Sequence, residues 1–308
     1  MTKVPTTTTT DVLTGVDLSA KLVLVTGGTT GLGFETVRAL CASGADVVLT
    51  ARSEEKGRDA VERISKLVPG ARVSYEILEL DSLQSIRQFT DRFIALHHRL
   101  DVLIANAGIM AVPFGQTNDG FELQFGTNHL GHFCLVGRLL PLLTASAPAR
   151  IVVLSSGGHG AGDVIWDDPH FEHRDYSKMD AYAQAKTANI LHVVELERRY
   201  GPLGVHAWAV HPGMVATDLG RHFTREDYKD LVARAKAGGG ELPARVGVDV
   251  GASTQVWAAV SDGALDVPGN YLANCGVAEA KPYATNVEAA KRLWEISEQM
   301  IGESFPEP

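Results

Sequence analysis

Lys21-Leu-Val-Leu-Val-Thr-Gly-Gly-Thr-Thr-Gly-Leu-Gly33 decides the fold. Its first half is a short, β-branched apolar run closed by glycines, the pattern of a strand buried on both faces. Its second half runs into a helical pattern over 35–42. A glycine-rich link in that context can hold an anion. Glycines allow a tight turn and close backbone approach, while unpaired N–H groups and the positive dipole end of the following helix attract pyrophosphate. The spacing is GxxxGxG rather than the GxGxxG of the dinucleotide fingerprint, so the turn alone is also compatible with an ordinary strand-to-helix corner.

Outward from this turn, strand-like runs recur at 45–50, 72–78, 101–105, 150–155 and 205–210, separated by helical patterns at 54–67, 83–96, 121–143 and 181–200. Strict alternation predicts a mostly parallel sheet covered on both faces, because parallel neighbours need a crossover and their strands become apolar on both sides. The fold class is therefore α/β, a doubly wound Rossmann fold in a single domain over 19–303. Residues 1–18 read as a polar lead-in and 304–308 as a tail. A charged, helical insertion over 221–244, containing the glycine tract 238–240, precedes an apolar helix over 248–260. The wider segment 213–245 reads as a lid beside the C-terminal strand ends or as a plain surface excursion.

At the end of the second strand, Thr50-Ala51-Arg52-Ser53 puts Arg52 nineteen residues after Gly33. An acid is usual there, about 20 residues on, where it accepts hydrogen bonds from the ribose hydroxyls. A guanidinium can instead bind a 2′-phosphate through charge-assisted bonds, which predicts NADP(H) as coenzyme.

After the fifth strand comes Ser155-Ser156, and 26 residues past Ser156 the chain reads Tyr182-Ala-Gln-Ala-Lys186. Tyr and Lys at i and i+4 share a helix face. A phenol titrating near 10 is a poor acid–base catalyst at neutral pH, and a neighbouring ammonium such as Lys186 favours its ionised form. Ser156 with His159 as base would be a hydrolase pair, but no GxSxG elbow surrounds the serine and no acid is spaced to orient the histidine.

The phosphate turn, Asn106-Ala107-Gly108, Asn128, Ser156 and YxxxK follow one another in an order that resembles the short-chain dehydrogenase/reductase family over about 20–275. Asn128-His-Leu-Gly-His132, Tyr182-Ala-Gln-Ala-Lys-Thr-Ala-Asn189 and His211-Pro-Gly213 resemble its retinol-dehydrogenase-like, NADP-using branch. The resemblance implies a pyrophosphate turn lined by Thr26, Gly27, Thr29, Thr30, Gly31, Leu32 and Gly33, with Arg52 on the 2′-phosphate and Asp81 on the adenine. Asn106, Ala107 and Gly108 would border the adenosine ribose, and Pro212, Gly213, Val215 and Thr217 the nicotinamide. Tyr182 would be the general acid in reduction and base in oxidation, with Ser156 on the substrate oxygen. Lys186 would hold the nicotinamide ribose and tune Tyr182, while Asn128 anchors the water joining Lys186 to solvent. The chemistry would be direct hydride transfer, with no metal. The resemblance also implies a dimer or tetramer formed through the helices of Asn128 and Tyr182.

Two features depart from the family's commonest form. The extra segment 157–180 predicts a strand or loop at the pocket rim; its Trp166, Asp167, Asp168, His170, Glu172 and His173 read as a polar surface loop rather than a metal cluster. A C-terminal helix over 287–300 presents Leu293, Trp294, Ile296 and Met300 as one apolar face, for core packing, for covering the pocket or for a second subunit. His159, Trp166, Met179 and Met214 are the candidate substrate contacts; being mostly large and apolar, they predict a hydrophobic, bulky ketone, aldehyde or alcohol, a class to which the resemblance adds retinoids.

Composition narrows the remaining classes. The 308 residues carry 28 Lys+Arg against 37 Asp+Glu, a net charge of −9, which repels nucleic acid and anionic membrane surfaces. Cys41, Cys134 and Cys275 form no CxxC pair, so a reducing cytosol is expected. Residues 1–10 lack an apolar signal region, and no run of about 18 apolar residues occurs, so a cytoplasmic protein without membrane spans is expected. The rival to an enzyme is a non-catalytic NADP-binding regulator or redox sensor, which would need the phosphate turn and Arg52 but not the phenol and ammonium at helical spacing.

Overall fold

The computed structural model describes residues 6–237, 242, 244–266 and 270–305. Residues 1–5 of the lead-in, the glycine tract 238–240 and the tail residues 306–308 lie outside them. Strands form where the apolar runs predict: β1 (Leu22–Val25), β2 (Asp46–Ala51), β3 (Arg72–Ile77), β4 (Val102–Ala105), β5 (Ala149–Leu154) and β6 (Val205–His211). The short pieces β7 (Met214–Val215), β8 (Arg245–Val246), β9 (Tyr271–Ala273) and β10 (Gly276–Val277) follow. Among the described residues the main sheet runs β10-β9-β6-β5-β4-β1-β2-β3, and only β10 is antiparallel to its neighbour. This is a single-domain doubly wound sheet.

The helices are α1 (Thr9–Val12), α2 (Gly31–Ala42), α3 (Glu54–Leu67), α4 (Leu83–Leu96), α5 (Leu123–Phe125), α6 (Gly131–Ala145), α7 (Lys178–Tyr200), α8 (Arg225–Ala237), α9 (Val248–Gly251), α10 (Ser253–Val260) and α11 (Val287–Ile301). Successive side chains of a strand point to opposite faces, so each sheet residue chooses one of two cores. Leu24, Leu103, Ile151 and Val153 join Phe89, Phe133, Leu191 and Trp294 on the face of α4, α6, α7 and α11. Val23, Val25, Ile104 and Val152 join Val37, Leu40, Ile64 and Val256 on the face of α2, α3 and α10.

The chain leaves β1 towards β2 and β3, then crosses back to β4 on the other side of β1. Neighbouring connections therefore diverge above the C-terminal ends of β1 and β4 and open a crevice. Because these strands are parallel, the residues that follow them, Gly27, Arg52, Asn106 and Ser156, all emerge on that one edge.

The structure changes several expectations. Segment 6–18 is part of the domain: α1 caps itself through Thr8 and Asp11, Thr9 hydrogen-bonds Glu35, and Leu13 and Leu18 are buried. The helix expected over 121–143 begins at Leu123, where the buried Glu122 carboxylate accepts the Gln124 and Phe125 N–H groups. It loosens into a π-turn, Gly126–Leu130, before α6. Glycines flank the turn because space is absent: a Cβ on Gly131 would lie 2.2 Å from the Leu80 carbonyl oxygen. Of the two forms expected for segment 157–180, strand or loop, the loop is found: a 3-10 turn, Gly157–Ala161, then irregular chain up to the start of α7 at Lys178.

The C-terminal helix packs into the core. Trp294 meets Phe133 edge-on, with ring centroids 5.0 Å apart, and Phe305 closes over Gly137, so residues 304 and 305 are not a free tail. Since α11 lies along α7 and Phe305 against α6, those helices are covered from within the chain. No described helix is long and apolar enough to cross a membrane.

Candidate active site

A cleft of about 1900 Å³ occupies the crevice. One end is the phosphate turn. Gly27 and Gly31 adopt φ of +67° and +56°, which side chains resist. A Cβ on Gly33 would lie 2.3 Å from the Gly27 carbonyl oxygen and 2.5 Å from Asn106 Nδ2. Thr30 caps α2 without a side-chain hydrogen bond, so the helix N-terminus keeps its donors for a ligand. Thr29, Thr30, Gly31, Leu32 and Gly33 line the cleft, as do Arg52 and Asp81 beyond them and Asn106, Ala107 and Gly108 beside them.

Arg52 has company that the sequence reading missed. Ser53 caps α3, and Lys56 and Arg63 from that helix also line the cleft, Arg63 paired with Asp59 at 3.2 Å and lying over the Phe34 ring at 4.2 Å. The seven-residue spacing of Lys56 and Arg63 on the capped helix that begins just after Arg52 was a readable signal that these two cations share a face. A protein of net charge −9 thus gathers cations at the end of the cleft where the acid usual in dinucleotide sites is missing.

The opposite end holds Ser156, Tyr182 and Lys186. Ser177 caps α7, setting the helix so that Tyr182 and Lys186 both turn inward; Lys186 Nζ lies 5.6 Å from the Tyr182 ring centre and donates to the Leu154 carbonyl at 2.9 Å. Ser156 Oγ accepts the Gly158 N–H at 3.0 Å and hydrogen-bonds the Tyr182 hydroxyl. Burial dominates the electrostatics of the pair. It pushes the Tyr182 phenol up to about 12, against the opposing Ser156 bond, and pulls the Lys186 ammonium down to about 8. Burial thus opposes the expected acidification of Tyr182 by Lys186, because both groups are withdrawn from water and the charged form of each is penalised.

Pro212, Gly213, Met214, Val215 and Thr217 form the wall beyond β6, and the Thr217 methyl lies 3.3 Å from the position of a Cβ on Gly31, so this loop reaches the phosphate turn. His211, also on the wall, accepts the Gly157 N–H at 3.0 Å; burial, reinforced by the nearby His159, lowers it to about 4. Met179 lines the cleft as expected, and Met110, Phe114, Phe223 and Tyr228 add apolar surface that no motif signalled. Phe223 and Tyr228 belong to the 213–245 segment, and Lys178 Nζ reaches Asp227 on α8 at 3.0 Å, fastening that helix to the start of α7.

Four expected residues do not line the cleft. Thr26 is wholly buried behind the phosphate turn, where its Oγ1 accepts the Asn106 and Ala107 N–H groups. Asn128 is equally buried and uses both ends of its amide on Ile109, accepting the N–H and donating to the carbonyl at 2.9 Å each. His159 turns to the back of the 3-10 turn, joining the Ser156 carbonyl at 2.7 Å and accepting the Lys281 N–H at 3.2 Å. It therefore braces Ser156 from behind the cleft lining. Trp166 packs against α11, beside Leu293 and Ile296 and with the Arg292 guanidinium 4.5 Å from its ring, away from the cleft lining. Asp168 holds its own loop by accepting from the Glu172 and His173 N–H groups, and His170 accepts the Glu122 N–H.

Comparison with known proteins agrees with this geometry. The family profile described as short chain dehydrogenase matches residues 21–228. Human retinol dehydrogenase 12 is 37% identical over 94% of this chain and 89% of its own length, and human retinol dehydrogenase 13 is 38% identical over 94% and 87%. An uncharacterised protein from Mycobacterium paratuberculosis superposes with a TM-score of 0.75 at 33% identity, covering 94% of this chain and 97% of that one. A short chain dehydrogenase from Burkholderia cenocepacia in complex with NADP superposes at 0.64 with 25% identity, covering 83% and 96%. A doubly wound sheet, a glycine turn opening α2 and a Ser–Tyr–Lys set at the far end of one cleft, found together with these relatives, make the chain a member of the short-chain dehydrogenases, oxidoreductases that work with a nicotinamide coenzyme.

Proposed function

We propose that this protein uses NADP(H) to interconvert a hydrophobic, bulky ketone or aldehyde and its alcohol, with Tyr182 as the proton donor and acceptor. The observation that carries this reading is the Ser156–Tyr182–Lys186 set facing the same cleft as the cation cluster of Arg52, Lys56 and Arg63. The Cβ-free cradle of Gly27, Gly31 and Gly33 fits a pyrophosphate, and the cation cluster fits a 2′-phosphate better than a bare ribose. Asp81 would meet the adenine, Asn106–Gly108 the adenosine ribose, Lys186 and Tyr182 the second ribose, and 212–217 the nicotinamide end. The coenzyme supplies or accepts the hydride.

The rest is done by the chain. Tyr182 Oη holds the proton that a carbonyl oxygen needs as negative charge builds on it, and the Ser156 hydroxyl offers that oxygen a second hydrogen bond. Lys186, tethered to Leu154, holds a positive charge beside the phenol, a charge that an anionic neighbour would strengthen by raising its proton affinity. The apolar wall of Met110, Met179, Met214, Phe223 and Tyr228 offers a substrate apolar contact and favours a hydrophobic one. The retinol dehydrogenases among the relatives support an alcohol–carbonyl pair.

Two measurements test the reading. Arg52→Asp is expected to weaken NADPH binding at least about tenfold while leaving NADH unchanged or tighter, since it exchanges a charge-assisted bond for a repulsion. Equal affinity of the unaltered protein for both coenzymes would remove the argument from Arg52. With burial holding Tyr182 near 12, the phenol keeps its proton across pH 6–9, so reduction has its acid throughout. Oxidation needs the ionised phenol, whose fraction rises about tenfold per pH unit below that value, so log kcat/KM for alcohol oxidation should climb with a slope near one. A flat oxidation profile where chemistry limits the rate would reject Tyr182 as base.

A further inference from the structure

His132, on the first turn of α6 and wholly buried, touches neither the cleft nor solvent, yet both of its ring nitrogens are engaged. Nδ1 lies 3.1 Å from the Asn128 carbonyl oxygen and Nε2 lies 2.9 Å from Thr26 Oγ1. A carbonyl only accepts, so Nδ1 must carry a proton. The Thr26 hydroxyl already accepts the N–H groups of Asn106 at 2.9 Å and Ala107 at 3.0 Å, which fills its lone pairs and leaves its own proton to give. Nε2 must therefore accept. Two independent constraints select one neutral tautomer, and burial, which lowers the ring to about 4, agrees with it.

The bonds close into a ring. Thr26 holds Asn106 and Ala107; two residues on, Ile109 is held at both its N–H and its carbonyl by the Asn128 amide; and Asn128 returns through its own carbonyl to His132 and so to Thr26. The segment Asn106–Ile109 inside this ring lines the cleft beside the phosphate turn, with Ala107 Cβ only 2.9 Å from where a Cβ on Gly27 would stand.

We infer that His132 is a positioning residue for the coenzyme: as its Nδ1–H tautomer it sets the Asn106–Ile109 wall by joining the β1 terminus to the π-turn of Asn128. The coenzyme part of this inference rests on the reading of the cleft given above. The tautomer does not, so the two can fail separately.

Long-range ¹H–¹⁵N spectra of the coenzyme-free protein labelled at histidine, with the His132 signals assigned by their loss in His132→Gln, should show protonated Nδ1 and bare Nε2 at pH 7. The opposite tautomer or an imidazolium overturns the inference. NADPH dissociation constants then follow, beginning with the unaltered protein; if that does not bind NADPH, the coenzyme reading fails and not the tautomer. His132→Phe, which removes the acceptor of the Thr26 hydroxyl proton and the side-chain donor to the Asn128 carbonyl, should weaken binding about tenfold, and so should Thr26→Val. The double variant should be no worse than the weaker single, because both changes cut the same link. His132→Gln, whose amide offers one donor and one acceptor, should stay within about threefold of the unaltered protein, and it carries the test if the phenylalanine variant does not fold. Additive losses in the double variant, or unchanged NADPH binding with only a lowered Tm, would assign His132 to packing alone.

Discussion

Tyr182→Phe is expected to lower turnover by about 10²–10⁴-fold while NADPH binds within about threefold of its original affinity. The ring is almost wholly buried, and it packs closely enough on Gly158 that a Cβ there would lie 3.0 Å from its edge, so phenylalanine keeps the packing and loses one oxygen. That oxygen's partner is Ser156, which retains the Gly158 N–H. Stability should hold, since the change removes a buried polar atom rather than volume. Stopped-flow transfer from bound NADPH, alongside a coenzyme titration, separates the outcomes. Retained turnover would move the acid to another group, whereas joint loss of binding and turnover would mean that the phenol holds the site together instead of donating a proton. A non-catalytic NADP-binding regulator would bind coenzyme normally in both proteins and reduce nothing in either.

Gly33→Ala is expected to weaken coenzyme binding by about a hundredfold and to cost about 1–3 kcal/mol of stability, the range for overpacking a close-packed site. The added methyl would meet the Gly27 carbonyl oxygen at 2.3 Å and Asn106 Nδ2 at 2.5 Å. Both belong to structure that cannot swing aside: Gly27 is in the turn itself, and Asn106 Nδ2 donates to the Thr26 carbonyl at 2.8 Å. To admit the methyl, α2 must move off β1, carrying with it the N–H groups that would face a pyrophosphate. Gly162→Ala is the matched control, since its Cβ would find only the Ala183 methyl at 3.7 Å. Unchanged coenzyme affinity in Gly33→Ala would mean that the pyrophosphate does not lie on this turn.

The fold was legible because its signals are local. Most of the six long strands are compact apolar runs, and Gly27, Arg52, Asn106 and Ser156, which the motif spacing and the resemblance put at the site, follow β1, β2, β4 and β5 onto the cleft. β9, which extends the sheet beside β6, has three residues and offered no run to read. Lys56 and Arg63 were legible only as a helix face. Phe223 and Tyr228, from a charged insertion read either as a lid or as a plain surface excursion, reach the cleft, with α8 fastened to α7 through Asp227 and Lys178.

Alternating strand-like and helical runs and the order of its glycines, Ser156, Tyr182 and Lys186 were enough to predict a doubly wound sheet with a dinucleotide-type crevice, since period and chain direction are properties of neighbouring residues. Which way a side chain faces is not. Thr26 and Asn128 turn from the cleft to brace its wall, His159 and Trp166 lie outside its lining, and Tyr182 is less acidic than its lysine neighbour suggested. Each outcome was decided by groups distant in the chain, because partners for a buried hydrogen bond and the loss of water around a charge exist only once the whole shell has closed.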